Sequence, residues 1–224
     1  MLIIGFGKLA KMMVNAHPDK PLPVYNRTKQ HVDENINAYY IPPVSFPEYT
    51  NVIIALPEEA ALSFLEENIH TFPEHAAIYI TSTSIRTEDI QTLYPGYTIV
   101  PAKFAGHALQ ADLEKNGGTF VVPESFPTEK TYFEKWLQGS FNVIHGEEIE
   151  VLEANQTAVE ETVDLILKLE KKLTAKNIPE PVRTAVLQQI PAGVIHAHIR
   201  GEHGGFVKKI WKQKEEQNEE QNEN

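Results

Sequence analysis

Short apolar runs alternate with helix-like segments over the first 145 residues of the chain. The runs are rich in Val, Ile and Tyr and are bounded by Pro, Gly or Asn, which is typical of strands. The predicted strands are Leu2–Ile4, Val24–Tyr25, Ala38–Ile41, Val52–Leu56, Ala77–Thr81, Tyr97–Val100, Thr119–Val122 and Asn142–Ile144. The predicted helices between them are Lys8–Ala16, Glu58–Asn68, Thr87–Leu93 and Thr128–Gln138. Strands that alternate with helices need crossover connections, so the pattern predicts an α/β fold with a doubly wound, mostly parallel sheet.

The pattern changes at residue 146, after which no strand is predicted. Glu147–Lys172 is a long helical segment with apolar residues on two sides, and a second helix, Glu180–Arg200, follows it. A helix that is apolar on two sides is normally buried on two sides, so we expect the small all-helical region 146–211 to form a homodimer. The last segment, Lys212–Asn224, has no apolar residue and is predicted to be a disordered acidic tail.

The clearest chemical motif lies between the first strand and the first helix. It is a G-x-G-x-x-A sequence made of Gly5, Phe6, Gly7, Lys8, Leu9 and Ala10. In such a motif Gly5 permits the tight turn, Gly7 lets the backbone approach a pyrophosphate, and Ala10 lets the helix pack closely on the strand. The N–H groups at the start of the helix then face the phosphates. The motif predicts a Rossmann-like dinucleotide-binding domain over residues 1–145, and a simple tight turn is the alternative.

The turn after the second strand indicates which dinucleotide would bind. It consists of Asn26, Arg27, Thr28 and Lys29 and contains no Asp or Glu. A site for NAD usually carries an acidic residue here, which accepts from the ribose 2′-hydroxyl, whereas Arg and Lys can pair with a 2′-phosphate. NADP(H) is therefore the predicted cofactor. The alternative is a solvated basic turn.

Two more strand ends would lie along the same edge of the sheet. Because the carboxyl ends of parallel strands line the ligand crevice, residues there are predicted to contact a ribose or a nicotinamide. They are Ala55, Leu56 and Pro57 at the end of the fourth strand, and Thr81 and Ser82 at the end of the fifth. For each of these positions an ordinary strand-to-helix cap is the alternative.

These residues resemble those of pyrroline-5-carboxylate reductase and the late-competence reductase-like proteins. The likeness lies in the Ile4–Ala10 loop, the Asn26–Thr28 strand end, the Ala55–Pro57 turn and the stretch from Val100 to Thr119. The resemblance implies a Rossmann domain that binds NADPH, followed by helices that form an interlocked dimer. It also implies an oxidoreductase, because the family's reaction is hydride transfer to the C=N bond of a cyclic imino acid.

The chain departs from this family where the substrate would bind. Glu153–Val159 stands in place of the family's Ser-Gly-Ser-Gly-Pro-Ala stretch, and Gly204–Val207 is the nearest candidate for its Pro-Gly-Gly-Thr-Thr loop. The chain is also shortened at its C-terminus relative to the family. One function left open is an NADP-dependent reductase acting on a different small imine or carbonyl. The others are a non-catalytic NADP-binding paralogue with a regulatory or interaction role, and a purely structural partner protein.

Four side chains are candidates for the chemistry of a reductase. Lys103 could polarise a carbonyl or bind a carboxylate, and His107 could donate a proton. Asn155 and Thr157, near the start of the long helix, could face the nicotinamide. The alternatives are a surface lysine, a loop histidine and ordinary polar helix positions.

Composition narrows the function classes further. With 20 Lys+Arg against 31 Asp+Glu the net charge is −11, so neither nucleic acid nor an anionic membrane is an expected partner. The absence of Cys excludes a disulfide framework and thiol catalysis. No long apolar run and no basic leader are found, so a cytoplasmic location is predicted. The spacing of His196, His198 and His203 is not a known hydrolase pattern, and a helix would put His196 and His198 on nearly opposite sides, so no metal is predicted.

Overall fold

The computed structural model describes residues 1–115 and 117–222. The chain divides into two compact units, Met1–Thr157 and Ala158–Asn224. Unit 1 contains all the strands described, together with the first turns of a long helix that continues into unit 2. The division therefore falls later than the predicted boundary at residues 145 and 146.

A six-stranded parallel sheet forms the centre of unit 1. Its strands are β1 (Leu2–Ile4), β2 (Leu22–Tyr25), β3 (Ala38–Tyr40), β4 (Asn51–Ile54), β5 (Ala77–Ile80) and β6 (Thr98–Pro101). Their order is β3-β2-β1-β4-β5-β6, and Ile3 of β1 pairs with Val24 on one side and Ile53 on the other. The strand order reverses between β1 and β4, which is where open α/β sheets bind their ligands. The doubly wound parallel sheet expected from the sequence is confirmed.

The described part of unit 1 contains six complete α-helices. They are α1 (Lys8–Ala16), α2 (Gln30–Asp33), α3 (Glu58–Asn68), α4 (Thr87–Leu93), α5 (Ala108–Glu114) and α6 (Pro127–Leu137). Short 3₁₀ helices lie at Pro43–Glu48 and Ile69–Thr71. The sequence did not predict α2 and α5 because they present almost no apolar face: α2 buries Val32 and α5 buries no residue.

The core consists of two apolar clusters, one on each face of the sheet. Ile3, Val24 and Ile53 belong to the first cluster, together with Met13 and Phe133 from the helices. The alternate strand positions belong to the second cluster, and these include Leu2, Ile4, Ile54, Ile78 and Ile80. Successive side chains of a strand point to opposite faces, so a sheet buried on both faces needs continuous apolar runs. This requirement explains why the strand pattern is strong in the sequence.

Unit 1 also contains a second sheet, of three strands. It contains β7 (Lys103–Ala105), β8 (Thr119–Val122) and β9 (Asn142–His145), with β7 antiparallel and β9 parallel to β8. Pro101 is the last residue of β6, and the hydrogen bonding to β5 ends with the Ala102 N–H, which donates to the Ile80 carbonyl at 3.1 Å. After Ala102 the chain continues as β7, which pairs with β8 instead.

The open edge of β6 is covered by one side chain of α4. The Gln91 amide oxygen accepts the Ile99 N–H at 3.0 Å, and the Gln91 amide nitrogen donates to the Tyr97 carbonyl at 3.0 Å. An edge strand with unpaired backbone groups is a site for unwanted pairing. Gln91 therefore provides hydrogen-bond partners for two backbone groups of this edge.

Gln91→Ala is expected to lower the free energy of unfolding by about 1 kcal/mol, because two partly buried backbone groups lose their partner. Urea unfolding followed by circular dichroism measures the change. Gln91→Glu keeps the acceptor for Ile99 but not the donor for Tyr97, so we expect a smaller loss. Equal stability of all three proteins would show that the edge does not depend on this side chain.

Three helices account for the rest of the described chain. They are α7 (Glu148–Ala175), α8 (Glu180–Arg200) and α9 (Gly205–Asn222), so the predicted all-helical C-terminal region is confirmed. The start of α7 belongs to unit 1, where Val151 is 4% exposed. This packing explains why unit 1 extends to Thr157.

Helix α9 differs from the predicted disordered tail over 212–222. Contacts between side chains four residues apart stabilise a helix of polar composition. Here the Trp211 indole N–H donates to Glu215 at 2.8 Å, and the Lys212 ammonium lies 3.8 Å from the Glu216 carboxylate. Residues 223 and 224 of the predicted tail lie outside the described residues.

Candidate functional site

The glycine-rich loop between β1 and α1 is held tightly by the neighbouring strand ends. Gly5 has a φ of +94°, and a Cβ on it would lie 2.6 Å from both the Ala55 carbonyl oxygen and the Leu56 side chain. The Gly5 N–H donates to the Tyr25 carbonyl at 2.8 Å. Only glycine combines this dihedral angle with this close approach. Gly5 thus fixes the turn between the ends of β2 and β4.

Gly7 lies in open space at the start of α1. Its backbone is extended, with φ −79° and ψ −166°, and no atom lies within 4 Å of the position that a Cβ would take. Ala10, one turn further, is fully buried. The first N–H groups of a helix have no partner within it, and this end of the helix carries a partial positive charge. The loop and the start of α1 therefore form a suitable cradle for a pyrophosphate.

A pocket of about 310 Å³ opens beside this loop, at the carboxyl ends of β1, β2 and β4. It brings together four of the predicted cofactor residues: Gly5, Asn26, Arg27 and Leu56. The opposite wall comes from α3, through residues that the sequence analysis did not identify. These include Ser63, Phe64, Glu67 and Asn68. Their spacing of four residues along one face of α3 is the signal that could have located them.

The pocket has an aromatic wall and a polar opening. The Tyr25 ring lies 5.2 Å from the Phe46 ring and 5.7 Å from the Phe64 ring. Burial raises the pKa of Tyr25, and the nearby Tyr40 and Glu67 add to this effect, whereas Arg27 opposes it. Arg27 is exposed, and Glu67 accepts from the Ser63 hydroxyl at 3.2 Å. The pocket can therefore hold a flat ring system with a charged substituent near Arg27.

The other predicted cofactor residues lie outside this pocket. Exposed residues among them are Gly7, Lys8, Thr28, Lys29 and Pro57; Leu9, Ala55 and Ser82 are half-buried, and Phe6, Ala10 and Thr81 are buried. The Thr28 carbonyl accepts from the Asn26 amide at 2.9 Å, which orders the turn after β2. The Lys29 ammonium lies 3.7 Å from Asp33. Their contact with a cofactor stays a prediction.

Lys103 is fully buried, and its ammonium has no N–H left to donate to a substrate. Its ammonium donates to the carbonyls of Ser82 at 2.7 Å and Ile85 at 2.8 Å. It also lies 3.3 Å from the Glu148 carboxylate. Burial lowers the pKa of Lys103, and the Glu148 carboxylate partly opposes this shift. A lysine ammonium has three donors, so these contacts correct the expectation that Lys103 meets the substrate.

The remaining catalytic candidates are Asn155, His107 and Thr157. The Asn155 amide donates to the Phe104 carbonyl at 3.0 Å and so connects α7 to β7. His107 immediately precedes α5, Thr157 lies in α7, and both are exposed. Their catalytic roles stay predictions.

Two of the three C-terminal histidines interact in unit 2. His198 Nδ1 lies 3.1 Å from His203 Nε2, and the two rings pack on Trp211 at 4.9 and 5.4 Å. Among the side chains described over 1–115 and 117–217, no group of three or more His, Asp or Glu residues could hold a metal ion. No helix in the described part of the chain is long and apolar enough to span a membrane.

No family model and no curated protein matches this chain. Solved structures do match it. A pyrroline-5-carboxylate reductase from Coxiella burnetii has a TM-score of 0.68 and 13% identity, and the match covers 98% of this chain and 91% of that one. An imine reductase from Streptomyces aurantiacus has a TM-score of 0.61 and 15% identity, covering 92% and 80%.

A third structure is an imine reductase variant from Myxococcus stipitatus in complex with NAD⁺. It has a TM-score of 0.60 and 10% identity, and the match covers 95% of this chain and 76% of that one. At these identities the similarity concerns the fold. The chain thus has the fold of the pyrroline-5-carboxylate and imine reductases, a Rossmann sheet followed by a helical region, as the sequence resemblance implies.

Proposed function

We propose that the protein is an NADP-dependent reductase that transfers a hydride to a small imine or carbonyl substrate. The observation that carries this proposal is the open cradle at Gly7 beside the pocket that contains Arg27. Structures of the same fold include a pyrroline-5-carboxylate reductase and imine reductases, one of them with NAD⁺ bound. When bound, a nicotinamide cofactor supplies the hydride.

The residues present fit such a cofactor. The cradle at the start of α1 suits the pyrophosphate, because its N–H groups and partial positive charge favour an anion. The pocket with the Tyr25 and Phe64 wall suits the adenine ring, and Arg27 at its opening suits a 2′-phosphate. The nicotinamide half then extends in the other direction across the switch point, towards β4 and β5.

Arg27→Ala is expected to weaken NADPH binding about tenfold, because a charge-assisted contact to the 2′-phosphate is lost. NADH has no 2′-phosphate, so its binding should change less than about twofold. Titration followed by nucleotide fluorescence measures both affinities. Arg200→Ala is the matched control, since Arg200 is also exposed but lies at the end of α8. An equal loss of affinity for NADPH and NADH would argue against NADP selectivity at Arg27.

The second candidate is a non-catalytic NADP-binding protein. Two observations favour it. The Lys103 ammonium already contacts two backbone carbonyls and the Glu148 carboxylate, and the side chains of His107 and Thr157 are exposed. Incubation of the protein with NADPH and a panel of cyclic imines and small carbonyls separates the candidates. Loss of reduced nicotinamide absorbance with any substrate supports the reductase. Tight NADPH binding without turnover on the whole panel supports the second candidate.

We also propose that the helices of unit 2 form a homodimer. None of the described side chains over 158–217 is buried. The exposed large apolar residues there include Val159, Val163, Ile166, Leu167, Ile190, Ile195, Ile199 and Phe206. Extended apolar surfaces of this kind mark interaction sites, and a self-complementary contact between two copies is the commonest oligomer.

Light scattering is expected to give a mass of twice the 25.3 kDa of one chain. Leu167, which is 59% exposed, can accept a charge without unfolding the monomer, so Leu167→Glu should shift the mass to that of one chain. Thr174→Glu adds the same charge to an exposed polar position of α7 and should leave the dimer intact. A wild-type mass of one chain would overturn the dimer.

A further inference from the structure

A buried ionic network connects three elements of unit 1. Lys103, the first residue of β7, holds the carbonyls of Ser82 and Ile85 in the loop between β5 and α4. Glu148, at the start of α7, pairs with Lys103 at 3.3 Å. The same carboxylate accepts the Thr87 N–H at 3.2 Å and the Thr87 hydroxyl at 3.0 Å. The loop is thus fixed at both ends of 82–87.

This loop lies at the carboxyl end of β5, on the far side of the switch point from the pocket at Arg27. A dinucleotide whose adenosine half occupies that pocket places its other half over β4 and β5. Thr81 strengthens the connection, since its hydroxyl donates to the Ile54 carbonyl at the end of β4 at 2.9 Å. The loop therefore borders the space for the nicotinamide half.

The network is costly if it serves stability alone. Lys103 has no exposed surface, and burying an ammonium carries a large desolvation cost. Apolar residues of similar volume often stabilise a protein as well as a buried ion pair does, or better. The pair does what apolar residues cannot, because it fixes the direction of two backbone carbonyls in one loop. The half-buried Ser82 and the exposed Ser84, whose hydroxyls lie 3.1 Å apart, are thereby held at this edge.

Building on the proposed function, we propose that Lys103 and Glu148 are positioning residues that hold the β5–α4 loop in the shape that receives the nicotinamide half of the cofactor. Neither side chain contacts the cofactor in this arrangement. They act through the Ser82 and Ile85 carbonyls and through the first residue of α4. Their loss should therefore affect only ligands that reach the loop.

Two nucleotides test this directly. NADPH carries both halves of the cofactor, whereas 2′,5′-ADP carries only the adenosine half with its 2′-phosphate. For Lys103→Met and Glu148→Gln, NADPH binding should weaken about tenfold, while 2′,5′-ADP binding should change less than about twofold. Glu147→Gln is the matched control, because Glu147 is the exposed neighbour of Glu148 and should leave both affinities unchanged.

The measured quantity is the ratio of the affinities for NADPH and 2′,5′-ADP. If Lys103 and Glu148 only stabilised the fold, their substitution would not change this ratio. Equal weakening of both nucleotides, or no weakening of either, would overturn the positioning role. Glu148→Gln keeps an acceptor for Thr87, so it tests the proposal even if Lys103→Met does not fold. Failure of the wild-type protein to bind either nucleotide would instead overturn the proposed function, and the positioning role with it.

Discussion

Gly5→Ala is expected to lower the free energy of unfolding by about 3 kcal/mol or more. At a φ of +94° an L-residue is strained, and the added methyl group would lie 2.6 Å from the Ala55 carbonyl oxygen. That oxygen cannot move alone, because the neighbouring Ala55 N–H is bonded to the Ile4 carbonyl at 2.8 Å. The strain must therefore separate β1 from β4 at the switch point. Urea unfolding followed by tryptophan fluorescence measures the loss.

Gly96→Ala is the control for Gly5→Ala. Gly96 is exposed, and no atom lies within 4 Å of the position that its Cβ would take. We expect its stability to stay within about 0.5 kcal/mol of wild type, as for most surface substitutions. If the two variants unfold at the same urea concentration, the turn at Gly5 is not under the constraint described above.

The main sheet could be predicted because its strands are buried on both faces. Runs such as Leu2–Ile4 leave no polar position, and the observed bounds of β1, β8, α1, α3 and α4 agree with the predicted ones. Short, fully apolar segments that are flanked by Gly, Pro and Asn residues are the easiest strands to recognise in a sequence. The glycine loop was predictable for the same reason, since its position between strand and helix is a local property.

Strand β7 could not be predicted because its first residue is a buried charge. Lys103 makes the segment resemble a surface loop, and its partners Ser82 and Ile85 lie 21 and 18 residues earlier in the chain. The pairing of Phe104 with Phe120, which creates the second sheet, is equally remote in sequence. A pattern within one segment carries no information on such partners. The network at Lys103 is therefore a feature that only the folded chain reveals.

The α3 side of the pocket was missed for a different reason. The sequence predicts ligand contacts at the ends of strands, whereas Ser63, Glu67 and Asn68 lie inside a helix. They border the pocket because α3 packs on the sheet through Phe64 and Leu65, which turns the adjacent polar positions towards the end of β2. Knowing the packed face of a helix thus also identifies the polar positions that flank it.

Gly7→Val is expected to weaken NADPH binding about 100-fold, the largest functional loss among the changes considered. The two methyl groups would fill the open space at the start of α1, where the helix N–H groups would meet the pyrophosphate. The fold should tolerate the change, because φ −79° and ψ −166° are extended angles that Val also adopts. We expect a loss of at most about 1 kcal/mol in unfolding free energy at this N-cap position.

Nucleotide fluorescence titration and urea unfolding of the same Gly7→Val preparation separate the two effects. A folded variant that still binds NADPH like wild type would place the cofactor elsewhere and would leave the motif as a structural turn. A folded variant without NADPH binding would assign the open space at Gly7 to the ligand. Gly5 and Gly7 are two residues apart, yet only Gly5 touches the neighbouring strand. We therefore expect the first glycine to be required by the fold and the second by the ligand.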